Sequence, residues 1–296
     1  MRTRFAPAPT GYLHLGHVAN ALCVWGGARA LGAQVLLRIE DHDRQRCRPE
    51  YTDALLEDLA WLGFEPDAPL GPPLRQSAHP ERYEAAVETL RARGHQVYAC
   101  DCSRKDLAEA GGDAPDRETP YTGRCRDRGL VPGPGRGLRV ALPAGEETFD
   151  DLALGRQRQH PSAQCGDLLL RDRLGNWTYQ FAVVVDDQAQ DIDLVIRGVD
   201  LLESTGRQLL LARMLGRETP PRFVHHPLIR RPGGEKLSKA NRDTAIRDLR
   251  SAGVTPETLF GRIISLLSAT PEVVLARDAA ANAAWSLLTT LRPPED

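Results

Sequence analysis

Lysine is nearly missing from this chain of 296 residues: among 38 basic residues, only Lys105, Lys236 and Lys239 are lysine. A composition this rich in arginine would put arginine at any indifferent surface position, so a lysine marks a place where a compact ammonium is wanted. Two of the three stand within four positions of each other. Long apolar runs are missing as well. None reaches the ~18 residues that a membrane-spanning helix needs, which predicts a soluble protein. Met1 passes straight into Arg2-Thr3-Arg4-Phe5 without an apolar signal core, so the chain is expected in the cytoplasm. Six cysteines in a reducing compartment are then thiols or metal ligands, not a disulfide framework. A formal charge of −2 neither requires nor excludes a nucleic-acid partner, because phosphates are bound by local patches. Two such patches are present, one of Arg124, Arg126, Arg128, Arg136 and Arg139, the other of Arg230, Arg231, Arg242, Arg247 and Arg250.

What is there begins at Arg4-Phe5-Ala6-Pro7-Ala8-Pro9-Thr10-Gly11 and runs through His14-Leu15-Gly16-His17. An apolar start, two prolines and a glycine, then Val18, Ala21, Leu22, Trp25, Ala28 and Leu31 at helical spacing predict strand, tight turn and helix. A helix N-terminus attracts phosphate through its unpaired N–H groups and partial positive charge. Gly16 would let a ligand approach the backbone, and His14 and His17 add ring nitrogens that can donate toward the same anion. A second stretch, Glu235-Lys236-Leu237-Ser238-Lys239-Ala240-Asn241, follows Arg230-Arg231-Pro232-Gly233-Gly234 and so begins in a loop. Its two lysines suit a phosphate.

Between these stretches, Gln34–Ile39 reads as a buried strand, completing a βαβ unit whose ligand side is the carboxyl end of the strands, where Glu40 stands. Helices are predicted from Pro49 to Leu62 and from Pro80 to Arg93. Residues 95–136 are irregular, rich in Gly, Pro and Arg, and too poor in apolar residues to fold without a staple. Cys100-Asp101-Cys102 and Cys125 offer three zinc ligands, and chemistry alone prefers His95 or water as the fourth. Beyond Leu138 a short strand and a hairpin are expected, with the run Tyr179–Asp187 as the hairpin's far arm. Asp193–Gly198 is a further apolar strand carrying Arg197, which needs an anionic partner from the protein or a ligand, with Asp41 and Asp187 as candidates for pairing with Arg4 or Arg197. Helix 203–215, strand 222–226 and helical periodicity over 244–292 follow.

His14-Leu15-Gly16-His17 and Lys236-Leu237-Ser238-Lys239 together resemble the two signature motifs of class I aminoacyl-tRNA synthetases, and Arg4–Gly11 resembles the glutamyl branch. The intervening residues are similar to the glutamyl-Q tRNA(Asp) synthetase family, truncated paralogues of glutamyl-tRNA synthetases. The resemblance implies an α/β fold: a Rossmann-like class I catalytic domain with its first half over residues 1–94, a zinc-binding insertion over 95–136, the second half with the lysine loop over 137–243, and a short helical region over 244–296. It implies one structural Zn²⁺ held by Cys100, Cys102, Tyr121 and Cys125. It implies catalytic roles for His14, His17, Lys236 and Lys239, ATP contacts at His14, Gly16, His17 and Lys239, and glutamate contacts at Arg4, Phe5, Ala6, Pro7, Ala8, Glu40, Tyr179 and Arg197. Ala240 stands where many synthetases have Ser.

The activity so implied is activation of L-glutamate by ATP with Mg²⁺, without tRNA, followed by transfer to the queuosine base in the anticodon of tRNA(Asp), by a monomer. Two cations and an anion suit glutamate's two carboxylates and ammonium, and Arg4, Arg197 and Glu40 supply that set. After Ala240 only 56 residues remain, too few for the anticodon-reading domains of a full-length glutamyl-tRNA synthetase. Competing readings are a compact glutamyl-tRNA synthetase that charges a tRNA 3′ end, a small-molecule adenylyltransferase or ligase of the same fold, and a noncatalytic zinc-bearing tRNA-binding module.

Overall fold

Strands covered on both faces lose the alternation of apolar and polar residues, and that is the pattern at the start of the chain. β1 (Arg2–Phe5) and β2 (Gln34–Ile39) are parallel, in register from Arg2 opposite Gln34 to Phe5 opposite Leu37, with α1 (Leu15–Leu31) crossing between them. The short β3 (Leu74–Arg75) extends this group beyond β2. These features come from a computed structural model that describes residues 1–43, 45–67, 73–103, 105–107, 120–229, 245–268 and 273–290. The loop with Lys236 and Lys239 lies outside the described residues.

A second group places β9 (Leu194–Gly198) beside β10 (Arg222–His226) and β10 beside β6 (Glu147–Asp151), all parallel, with β7 (Gly155–Gln159) antiparallel on β6. The two groups meet where the N–H of Asp193 donates to the carbonyl of Arg2 at 3.0 Å and the N–H of Arg2 donates to Asp193 Oδ2 at 3.0 Å. The strands thus run β3-β2-β1-β9-β10-β6-β7, and the order reverses between β1 and β9. In doubly wound sheets that reversal opens a crevice at the carboxyl ends of the strands, where ligands bind.

A separate antiparallel sheet joins β4 (Val97–Cys100), β5 (Gly137–Val140) and β8 (Leu168–Arg171), and the cysteine segment is the excursion between β4 and β5. On one flank lie α2 (Pro49–Trp61), packed against α7 (Ile246–Ser251), and α8 (Pro256–Ser268) with α9 (Arg277–Thr290). On the other, α3 (Pro80–Ala92) packs on α5 (Tyr179–Ala189) and α5 on α6 (Thr205–Met214), while α4 (Pro161–Cys165) is a short turn before β8.

Helix α5 corrects the sequence reading, which made Tyr179–Asp187 the far arm of a hairpin. The turn itself is present, with Trp177 bridging Arg171 and the Thr178 N–H donating to Leu170 O at 2.9 Å. From Thr178 onward the chain is helical, and Phe181 through Asp187 are all buried. A helix covered all round shows no 3.6-residue period, so the β-branched run Val183–Val185 gave only its strand preference.

The contact of α9 with α1 is close because two glycines make it so. A Cβ on Gly26 would lie 2.1 Å from the carbonyl oxygen of Ala281, and one on Gly27 would lie 2.5 Å from Ile196 Cδ1. Helix α1 is thereby clamped between β9 and α9, which fixes the position of its N-terminus.

Candidate active site

His14 is the N-cap of α1, extended at φ −132°, and its Nδ1 accepts the N–H of Gly16 at 3.1 Å. His17, three residues on, returns the bond: its Nδ1 accepts the N–H of His14 at 3.1 Å. The two imidazoles replace the hydroxyl and carboxylate of an ordinary capping box. With Nδ1 of each ring accepting, the proton of the neutral ring stands on Nε2, so each presents a donor on its outer edge. The rings lie 4.0 Å apart. A Cβ on Gly16 would sit 3.0 Å from His14 Cε1, so this glycine makes room for the His14 ring.

These residues line a cleft of about 490 Å³ at the carboxyl ends of β9 and β10, closed on the far side by Gly198, Asp200 and His226. It is the crevice that the strand order dictates. His226 is held by Asn20 of α1, Nε2 to Oδ1 3.1 Å, and burial keeps its pKa below the ordinary value.

Deeper in the sheet, charged side chains gather where apolar ones would be expected. Arg4 donates from Nε to both carboxylate oxygens of Asp187, at 3.0 and 3.3 Å. Arg38, wholly buried in β2, donates to the same Asp187 at 2.7 Å, to Gln190 at 2.8 Å and to Glu40 at 3.0 Å. Burial pushes the Asp187 pKa up, but Arg4 and Arg38 outweigh it and hold the carboxyl below its usual range. Of the pairings foreseen, Arg4 with Asp187 is therefore made.

Arg197 is different. Nε donates to His225 Nε2 at 3.1 Å, Nη1 to Gln208 Oε1 at 2.7 Å and Nη2 to Thr205 Oγ1 at 2.8 Å, with Leu201 O at 3.5 Å. Every acceptor is neutral, and among the described residues no carboxylate forms an ion pair with it. Burial, and then the charge of Arg4 against the pull of Tyr179, lowers its pKa. A buried cation on a neutral cradle is costly unless an anion arrives. Half-buried Tyr179 lies in the field of Arg197, Glu40, Arg4 and Asp187, so Arg4, Glu40, Tyr179 and Arg197, to which the sequence pointed, stand in one neighbourhood. Phe5 faces elsewhere: its ring packs edge-on against Trp25 in the core, at 5.6 Å, so any ligand contact here is through backbone.

The sequence reading missed Arg38, Thr205, Gln208, His225 and Asp151. Arg38 carried the same signal as Arg197, a lone charge in an apolar strand.

At the sheet of β4 and β5, the Sγ atoms of Cys100, Cys102 and Cys125 lie within 4.8 Å of one another, and among the described residues no histidine joins them. Tyr121 Oη stands 3.5 Å from Cys100 Sγ and 3.9 Å from Cys102 Sγ, and Cys102 and Cys125 are 3.5 Å apart. Zinc–sulfur bonds of ~2.3 Å in a tetrahedron give edges of roughly 3.8 Å, so the three thiols fit one ion, with Tyr121 Oη beside them. Most of the first arginine patch is occupied internally. Arg139 is buried, donates to Asp167 O at 2.7 Å and lies 3.8 Å over the Tyr121 ring, while Arg126 and Arg128 pair with Asp167 and Asp101. In the second patch Arg247 and Arg250 lie over Tyr12 and Trp61; Arg230, Arg231 and Arg242 are outside the described residues.

The family profile described as tRNA synthetases class I (E and Q), catalytic domain, matches residues 1–276. A glutamyl-Q tRNA(Asp) synthetase of Geobacter sulfurreducens is 45% identical over 84% of this chain and 80% of its own length. A glutamate–tRNA ligase of Frankia casuarinae is 40% identical over 92% of this chain, which spans 57% of that protein. Among solved structures, a glutamate tRNA ligase from Elizabethkingia meningosepticum in complex with its amino acid superposes with a TM-score of 0.76 at 28% identity, over 95% of this chain and 64% of that one. A Mycobacterium tuberculosis methionyl-tRNA synthetase shares only the fold, at TM-score 0.55 and 12% identity. Among the described residues no helix is long and apolar enough to cross a membrane. The histidine-capped helix at the switch point of the sheet and the length of these matches agree: the chain has the α/β catalytic domain of a class I aminoacyl-tRNA synthetase and belongs, among these ATP-dependent ligases, to the glutamyl-Q tRNA(Asp) synthetase family.

Proposed function

We propose that this protein activates L-glutamate with ATP in the absence of tRNA and passes the glutamyl group to the queuosine base in the anticodon of tRNA(Asp). The observation that carries the first step is the neutral cradle of Arg197, a buried guanidinium without an acidic partner among the described residues, beside Arg4 and Tyr179 and next to the His14–His17 cleft. A substrate carboxylate supplies the missing charge. Tyr179 would donate to the amino acid, and Glu40, although shared with Arg38, would face its ammonium. The second carboxylate then attacks the α-phosphorus of ATP and pyrophosphate leaves, so the reaction needs alignment and charge stabilisation rather than a side-chain nucleophile. The Nε2 donors of His14 and His17 hold phosphate oxygens, and Lys236 and Lys239 meet the charge building on pyrophosphate. Mg²⁺ supplies further neutralisation of the triphosphate. Cys100, Cys102, Tyr121 and Cys125 would hold one structural Zn²⁺.

The acceptor rests on the names of the relatives. The similarity to the Frankia casuarinae glutamate–tRNA ligase supports a second reading, charging of a tRNA 3′ end. Labelled glutamate and ATP incubated with queuosine-containing tRNA(Asp), unmodified tRNA(Asp) and tRNA(Glu) decide between them. Label on the modified tRNA alone is expected, and efficient charging of unmodified tRNA(Glu) would overturn the reading.

A further inference from the structure

Three neighbouring strands carry one hydrogen-bonded row. Asp151 ends β6, His225 lies in β10 and Arg197 in β9, where the sheet register sets His225 directly beside Arg197. His225 Nδ1 stands 2.6 Å from Asp151 Oδ2, and its Nε2 accepts from Arg197 Nε at 3.1 Å. Asp151 is itself fixed as an acceptor: Oδ1 takes the N–H groups of Ala153 and Leu154 at 2.9 and 3.0 Å, and Oδ2 takes the N–H of His225 at 3.1 Å. With an acceptor on one side and a donor on the other, only one tautomer of the ring satisfies both, Nδ1–H toward Asp151 and a lone pair on Nε2 toward Arg197. The ring of Phe223 lies parallel to that of His225, with centroids 6.0 Å apart and an angle of 7° between the planes. The side chains of His225 and Asp151 are wholly buried and reach no cleft described above, so neither touches a ligand directly.

Resting on the glutamate reading given above, we infer that Asp151 and His225 are positioning residues for the substrate carboxylate: Asp151 sets the tautomer of His225, and His225 fixes the rotation of the Arg197 guanidinium plane. A guanidinium recognises a carboxylate through paired, coplanar N–H donors, so the rotation about Cδ–Nε decides whether the outer donors meet the substrate. Gln208 and Thr205 hold Nη1 and Nη2, and His225 holds Nε. The row leaves a specific signature. Its loss weakens glutamate and spares ATP.

The test is a pair of substitutions that each keep half of the imidazole. Asn places its amide near Nδ1, preserving the partner of Asp151, whereas Gln reaches the position of Nε2 and preserves the acceptor for Arg197. In glutamate-dependent pyrophosphate exchange, His225→Asn is expected to raise the glutamate KM about tenfold, the effect of a hydrogen bond to a charged group, with the ATP KM within about twofold of the parent. His225→Gln is expected to recover most of the loss. Equal impairment of both variants, a parallel rise in both KM values, or a parent-like glutamate KM in His225→Asn would overturn the inference. A second readout does not depend on activity. In ¹⁵N-labelled parent protein the His225 ring should show the Nδ1–H tautomer, and the Arg197 Nε–H resonance should persist in His225→Gln and shift in His225→Asn. An Nε2–H tautomer in the parent overturns the inference, and absence of exchange in the parent with the expected spectra overturns the glutamate reading alone.

Discussion

Arg38 donates from Nη1 to Oδ1 of Asp187 at 2.7 Å, and its guanidinium has no exposed surface at all. Asp187 shares that carboxylate with Arg4, so one acidic side chain on α5 neutralises two arginines from adjacent strands. Removing the shared charge leaves Arg4 buried without its carboxylate and Arg38 with Glu40 alone, and a buried charge that loses its partner costs several kcal/mol.

For Asp187→Asn, unfolding at neutral pH is expected to show a loss of roughly 3–5 kcal/mol. The pH dependence has a definite sign. The folded pKa lies below the ordinary carboxylate value of ~3.9, so this contribution is complete above that value and is lost as pH falls through the lower, folded one. Urea unfolding of parent and variant between pH 7 and pH 3 should give curves that converge on acidification. A constant difference would show that Asp187 acts by packing and not by charge.

Gly16→Ala sets a methyl group 3.0 Å from His14 Cε1 and displaces the ring that caps α1. Loss of the cap is worth ~1 kcal/mol, and the larger effect should be on ATP, whose KM is expected to rise while glutamate binding is retained. Calorimetry with each ligand separates the two. Unchanged ATP binding would detach the His14 ring from the nucleotide.

Helix α1 should also be sensitive in its middle. Alanine is favoured over glycine in helices by ~1 kcal/mol, yet a Cβ on Gly26 would collide with the Ala281 carbonyl at 2.1 Å. Backbone must move, and overpacking of this kind costs typically about 1–3 kcal/mol, so Gly26→Ala is expected to melt lower than the parent. A higher melting temperature would mean that α9 does not seat on α1 in solution.

Protein purified without added metal should hold one equivalent of zinc by elemental analysis, and Cys125→Ala should hold less than half of one. Tyr121→Phe separates the fourth ligand from the three thiols. It should retain zinc but release it to a chelator ~10- to 100-fold faster. Parent-like release would leave Tyr121 as a hydrogen-bond partner of Cys125, whose N–H it accepts at 2.9 Å.

Most of the central sheet was legible because its strands are short apolar runs bounded by Gly, Pro or a cap signal, as at Gln34–Ile39 and Asp193–Gly198. The β6–β7 hairpin was not. Its strands read Glu-Thr-Phe-Asp-Asp and Gly-Arg-Gln-Arg-Gln, with few apolar residues to announce them, and the pairing is held by a polar edge. The histidines, the cysteine triad and the lone arginine of β9 could be picked out by residue type and spacing alone. The Asp151–His225 pair could not, since its members are 74 positions apart and only the pairing of β6 with β10, which sets Asp151 opposite Phe223, brings its carboxylate within reach of His225.

The consecutive aspartates of α5 hold different partners. Asp187 grips the arginines of β1 and β2, while Asp186 accepts from Gln76 and Tyr83 at 2.8 Å and from Arg82 at 2.5 Å, and so grips the start of α3. Helix α3 leads directly to β4 and the cysteine excursion. Two adjacent residues of one helix thus join β1 and β2 to the start of α3. Loss of either carboxylate therefore loosens α5 from one of its neighbours and leaves its hold on the other in place.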